Sequence, residues 1–273
     1  MMSRIFFLFK LAALSGSVGL VLLFSGQQPQ PAVSIADSLL CATDTPVKLA
    51  SDLAAIKKDS QKTDDSRPEL GVLKGHRWPS RTIEVAFIGG TATGHNRVRI
   101  YAKQWADSVG LTFTYVAIPD AQIRVGFDRK GGAWSKIGTL ANEVKDGSPT
   151  MNLNLVEDDS VEEQYHRRQV LHEFGHGLGA IHEQLSPKSP IQWDRPKVMA
   201  YFKDTLKWKE DQILRDVLEP YKAADVDASV FDSKSIMLYW FPPELTLNDV
   251  QVPLNTTLSP KDVSQMSRLY SSQ

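Results

Sequence analysis

The sequence predicts an α+β domain, and three patterns carry that prediction. Residues 82–88 alternate with period two, placing Ile83, Val85 and Phe87 on one face, and end in Gly89-Gly90, as a strand followed by a turn does. Val98, Tyr101, Ala102, Trp105 and Val109 then recur at helical spacing up to Gly110. Further on, Leu171, Phe174 and Leu178 repeat as i, i+3, i+7, which gives a second helix one apolar stripe to pack on a sheet.

Taken in order, the elements divide the 273 residues into three regions. Arg4 and Lys10 precede an uncharged apolar run over 11–24, followed by Ser25, Gly26 and a Gln/Pro-rich stretch, so residues 1–26 read as a signal peptide. Counted from Ile5, the same run is long enough to cross a bilayer if Lys10 snorkels, which would make it an uncleaved anchor. Export is expected either way, to a secreted or periplasmic location or as a tethered domain facing outward. Residues 27–74 are polar, with one possible helix around 47–58, and read as a linker or pro-segment. The folded domain is expected over 75–273. After the first strand and helix, strands are expected at 111–118, 122–127, 133–138 and 150–156. The second long helix should start near Ser160 as N-cap, with Glu162 and Glu163 in its first turn. Beyond residue 182 the chain is loop-rich, with helices near 195–203 and 209–218 and no clear strand.

Composition limits what the chain does. With 42% hydrophobic and 23% charged residues it can bury a sizeable core, so disorder throughout is excluded. A net charge of −1 gives no electrostatic reason to expect nucleic acid or an anionic membrane as partner, leaving recognition to a cleft. Cys41 is the one cysteine, so no internal disulfide can form. Its context, Ser38-Leu39-Leu40, lacks the small preceding residue of a lipid-attachment site. A thiolate capping a metal is chemically open to it, but the flanking residues lend no support. Nothing signals a coiled coil or a symmetric interface, and a monomer is expected.

The chemistry is concentrated in residues 172–182, which read H-E-x-x-H-x-x-G-x-x-H. Residues four apart share a helical face, so His172 and His176 can point at one metal ion. Glu173 is placed to reach a water on that ion without ligating it. Gly179 can take φ > 0, end the helix and turn the chain so that His182 returns as the third ligand. Three protein ligands leave one position open, the mark of a catalytic zinc site. All five matches arise by chance in about one chain of this length in 100,000. His76, His95 and His166 have no such spacing and read as ordinary residues.

These residues resemble the metzincin zinc endopeptidases, and within them the astacin-like group, in which glutamate follows the third histidine as in His182-Glu183. Ser235-Ile236-Met237-Leu238-Tyr239 is similar to that group's methionine turn, and 258–262 with 268–270 is similar to its closing segment. The resemblance covers about residues 76–270. It implies a twisted, mostly parallel N-terminal sheet with two long helices and an irregular helical C-terminal subdomain. It also implies a Met237 that lies beneath one catalytic zinc ion and a Tyr239 that contacts the metal or the reacting oxygen. Glu183 in this group pairs with a new N-terminus after a pro-segment is removed, and no matching pro-segment is identifiable here. With one cysteine, the chain resembles a cysteine-poor, microbial-type branch; Leu238 stands where His is common.

The expected reaction is hydrolysis of a peptide bond in a protein or peptide substrate. Zinc lowers the pKa of water toward about 7, Glu173 serves as general base, and Tyr239 donates to the oxyanion. Substrate would lie extended on a sheet edge, expected at 132–138. Two other readings share the zinc string: an amidase acting on a cell-wall or other non-protein amide, and a zinc-binding module without catalysis. The second gives Glu173 no purpose. Asn255-Thr256-Thr257 forms a glycosylation sequon.

Overall fold

The computed structural model describes residues 40–43, 70–118, 121–145 and 147–271. The expected signal peptide and the helix at 47–58 lie outside the described residues. Among the described residues eight strands form two sheets: β1 (Cys41–Thr43), β2 (Val72–Leu73), β3 (Thr82–Ile88), β4 (Thr112–Tyr115), β5 (Ile123–Gly126), β6 (Ala133–Ser135), β7 (Met151–Asn152) and β8 (Val226–Asp227). The larger sheet runs β1-β6-β7-β5-β3-β4, and β2 pairs with β8. Within the large sheet only β6 and β7 are antiparallel; every other pair is parallel. This is the mixed, mostly parallel sheet the resemblance implied.

Two long helices lie against it, α1 (Ala92–Val109) and α2 (Glu163–Gly177). Thr91 caps α1 by accepting from the Gly94 N–H, and Gly110 closes it at φ 70°, a left-handed conformation in which a Cβ would be strained. The stripe read from the sequence is the buried face: Val98, Ala102, Trp105 and Val109 lie in one core with Leu171, Phe174 and Leu178 of α2. Two indoles lock the layers together. Trp105 Nε1 donates to Leu171 O at 2.8 Å, and Trp78 Nε1 to Gly177 O at 2.7 Å.

Several boundaries differ from the sequence reading. Helix α2 starts at Glu163 rather than beside Ser160, because the Ser160 hydroxyl and N–H are both committed to the Asp158 carboxylate, at 2.5 and 3.0 Å. The expected strand at 133–138 ends at Ser135, and a 3-10 helix follows over Gly138–Glu143. Gly138 enters that helix at φ 47°, with His76 O where a Cβ would stand. The 150–156 strand shrinks to Met151–Asn152. In the C-terminal part, α3 (Arg195–Asp204) is followed by α4 (Glu210–Ile213), which passes into a π-helix, Leu214–Leu218, in place of one continuous helix. Helix α5 (Pro260–Ser271) returns to α1, with Met266, Leu269 and Tyr270 in the main core. The short β8 went unread because two residues are too few to show periodicity.

The described residues of the polar stretch 27–74 contribute to three cores. Leu70 and Val72 are buried in the main cluster, Leu40 and Cys41 in a second one formed with Val198, Phe202, Val217 and Tyr239, and Leu73 in a third with Ile137 and Ile181. Among the described residues no helix is long and apolar enough to cross a membrane.

Candidate active site

Helix α2 fixes the first two histidines. With Leu171, Phe174 and Leu178 turned into the core, His172 and His176 emerge together on the opposite side, one turn apart. Each ring is oriented by a carbonyl: His172 Nδ1 lies 2.7 Å from Ile236 O and His176 Nδ1 2.8 Å from Ala180 O. A carbonyl only accepts, so Nδ1 carries the proton and Nε2 keeps its lone pair.

The turn after α2 behaves as its glycine requires. Gly179 has φ 108°, and its N–H donates to His176 O at 2.8 Å while Ala180 N–H donates to Gly175 O at 3.0 Å. The chain then hooks onto the residue just before β2 through Ile181 N–H to Gly71 O at 2.9 Å, and His182 swings back. Its Nε2 lies 3.0 Å from that of His176.

A fourth donor completes the group. Cys41 Sγ stands 3.2, 3.4 and 3.1 Å from Nε2 of His172, His176 and His182, and the four donor atoms all lie within 4.8 Å of one another, fully buried. A tetrahedral zinc with ordinary bond lengths has nitrogen–nitrogen edges of about 3.3 Å and nitrogen–sulfur edges of about 3.5 Å, so this donor set fits the ion in type, and the thiol–imidazole and His176–His182 separations of 3.0 to 3.4 Å lie close to those edges. Strand β1 carries the thiol there by pairing in parallel with β6, Cys41 opposite Ala133, on the edge expected to receive an extended peptide.

The electrostatics agree. Burial holds His172 and His182 well below the usual histidine range and His176 down to about 4, so all three are neutral, as ligands must be. Burial pushes the Cys41 thiol up, with Glu173 and Asp216 adding to it, and pushes Glu173 up against the pull of the Cys41 thiol and Arg168. A divalent cation among these groups reverses that balance and favours thiolate and carboxylate.

The methionine turn lies directly beneath. Met237 packs on Gly175, where a Cβ would overlap its sulfur. Tyr239 donates its hydroxyl to Cys41 O and sets its ring 4.3 Å from that of His182. Asp262 of α5 braces the turn, accepting from Ser235 Oγ at 2.6 Å and Ile236 N–H at 2.8 Å. Glu183 is buried, donating its N–H to Met237 O at 3.0 Å and accepting from Asp232 N–H at 2.9 Å. Burial pushes its carboxyl up to about 8.

No family model and no curated protein matches the chain. Among solved structures, one of myroilysin is 34% identical, with a TM-score of 0.70, over 73% of this chain and 98% of that one. A second myroilysin structure is 32% identical, with a TM-score of 0.55, over 72% of this chain and 86% of that one. The chain belongs to the astacin-like metzincin family. A more distant structure, the zinc-protease HCE-1, a hatching enzyme from the medaka fish Oryzias latipes, is 12% identical with a TM-score of 0.47. As an astacin-like metzincin, the protein is a zinc endopeptidase that uses one zinc ion and acts on peptide or protein substrates.

In this metzincin the six residues singled out in the sequence, His172, Glu173, His176, His182, Met237 and Tyr239, converge on one site, with the Glu173 side chain hydrogen-bonded to Cys41. His95 instead stacks on Phe87 at 4.1 Å, and His76 sits beside Thr139. Asn255 of the sequon is engaged: its Nδ2 donates to Ser233 O at 3.0 Å and Ser235 O at 2.9 Å, leaving the amide unavailable to a glycan. Cys41 was weighed from the sequence as a thiolate capping a metal and set aside because its flanking residues lend no support. Arg168 escaped sequence reasoning, with only its position one turn ahead of His172 to mark it.

Proposed function

We propose that this chain is a latent, exported zinc endopeptidase in which His172, His176 and His182 hold the zinc and Cys41 occupies the fourth place until its segment is displaced. What carries the reading is the position of Cys41 Sγ, 3.1 to 3.4 Å from all three Nε2 atoms. When bound, zinc supplies a Lewis acid that lowers the pKa of water and polarises the scissile carbonyl. Glu173, one residue after His172, takes the proton of the attacking water and passes it to the leaving amine. The Tyr239 hydroxyl, released from Cys41 O when the segment leaves, donates to the developing oxyanion. Substrate takes the place of β1 on the edge of β6. Residues 1–26 direct export, the part of residues 27–74 that carries Cys41 acts as the pro-segment while residues 70–73 stay in the core, and the domain works as a monomer.

The test compares the full chain with Cys41→Ala and with Cys41→Ala/Glu173→Ala on a quenched-fluorescent casein, at matched and directly assayed zinc content. The full chain should be silent, Cys41→Ala active, and the double variant slower by about 100-fold or more. Equal activity in the full chain and Cys41→Ala would overturn the latency, and equal activity with and without Glu173 would overturn its role as base.

A further inference from the structure

Arg168 is a fully buried cation in the active-site wall that the reaction as described leaves unused. It lies on α2, one turn before His172, and is 1% exposed. Its guanidinium donates from Nη2 to Leu238 O at 2.9 Å and from Nη1 to Asn255 O at 2.5 Å. Asn255 passes the connection back, its Nδ2 bonding Ser233 O and Ser235 O. Zinc helix, methionine turn and the loop around Asn255 are thereby tied at one point. The same guanidinium interacts electrostatically with Glu173, Cys41 and Tyr239.

Stability alone does not account for an arginine here. Burying a guanidinium costs several kcal/mol, and an apolar side chain of similar volume is often as stable in such a place. What an apolar residue cannot do is hold two carbonyls at a fixed fork angle. One of those carbonyls belongs to the residue just before Tyr239, so its position sets the start of the tyrosine side chain. The other anchor of Tyr239 in the backbone is its N–H, 3.2 Å from Gln184 Oε1.

We propose that Arg168 is a positioning residue for the reaction: by holding Leu238 O to the zinc helix, it sets where the Tyr239 hydroxyl stands over the three histidines. The proposal rests on the reading of Tyr239 as oxyanion donor.

Two measurements on the full chain test it. The first is a crystal structure of zinc-loaded Arg168→Met, which needs no turnover. The Tyr239 hydroxyl should move by about 1 Å or more, enough to cost about 100-fold in rate, while the three imidazoles keep their places. A Tyr239 that stays put, or histidines that move with it, overturns the proposal. The second is a kinetic cycle in the Cys41→Ala background. Arg168→Met should lower kcat by that same factor of about 100 with KM within about twofold, as expected for an interaction made only in the transition state. Arg168→Lys, which keeps the charge and one donor, should recover part of the loss and guards against misfolding. Arg168→Met/Tyr239→Phe should be no slower than Tyr239→Phe, because both remove one function. Additive losses overturn the proposal. Tyr239→Phe without effect overturns the role of Tyr239 itself, and the positioning role with it.

Discussion

Gly175, the second x of the zinc string, carries a constraint that the ligands alone do not express. It lies between Glu173 and His176 and has Met237 sulfur where its Cβ would be, with Trp105 behind. Met237 can lie close beneath the histidines only because this position has no side chain. Gly175→Ala should therefore lower stability by about 1–3 kcal/mol through overpacking, read as a denaturant midpoint. It should also weaken zinc retention against a chelator. A variant with wild-type stability and zinc affinity would show that the methionine has room to move. At this scale the sequence was most legible where spacing encodes geometry, as with the three histidines and Glu173. It was least legible where contact is made across many residues: Cys41 reaches the site from 131 residues before His172, and nothing in its neighbours announces that.

The turn that follows α2 is an element whose shape depends on Gly179. Its φ of 108° disfavours every residue with a Cβ, and a Cβ there would also press on Val72. Gly179→Ala should cost about 1–3 kcal/mol. Because it misplaces His182 alone, it should also reduce zinc affinity while leaving α2 intact by circular dichroism; unchanged affinity would mean that the turn tolerates the strain. The bracing of the methionine turn by α5 gives a pH signature. Burial raises Asp262 from the usual carboxylate range to about 6, against the pull of the donors at Ile236, Ser235 and Ser259. A carboxyl raised in the folded state stabilises it fully below the unfolded pKa and loses that contribution as pH rises through the folded one. Between pH 4 and pH 7 the full chain should lose about 2.5 kcal/mol more than Asp262→Asn does. Parallel pH profiles for the two, measured by chemical denaturation, would assign the dependence elsewhere.

Elements with several turns or alternations of their own, β3 over 82–88 and α1 up to Gly110, were readable because each repeats its pattern often enough. Of the two-residue strands, β2 and β8 were not, since they exist only through their partners, and β7 was read as a strand but too long, over 150–156. The start of α2 was misplaced for a local reason, a serine whose hydroxyl serves Asp158 in place of a helix.

Over the whole molecule, sheet, helices and C-terminal part meet at the four donor atoms. α2 is fixed to the core by Leu171, Phe174 and Leu178, and its other side meets the second cluster, which holds Cys41 and Tyr239. The segment that fills the cleft is part of the fold, since β1 is the sixth strand of the sheet. On the proposed reading, latency and architecture are one property: the strand paired on the edge of β6 also delivers the sulfur. The proposed latent state was hidden in the sequence because it depends on pairing between β1 and β6, separated by about ninety residues of chain and joined by backbone bonds that no side-chain pattern records.

The most direct measurement is zinc-edge X-ray absorption on the full chain loaded with one equivalent of zinc. The account predicts one sulfur scatterer at about 2.3 Å and three nitrogens at about 2.0–2.1 Å, with the sulfur replaced by oxygen in Cys41→Ala. A first shell without sulfur while Cys41 is intact would contradict it.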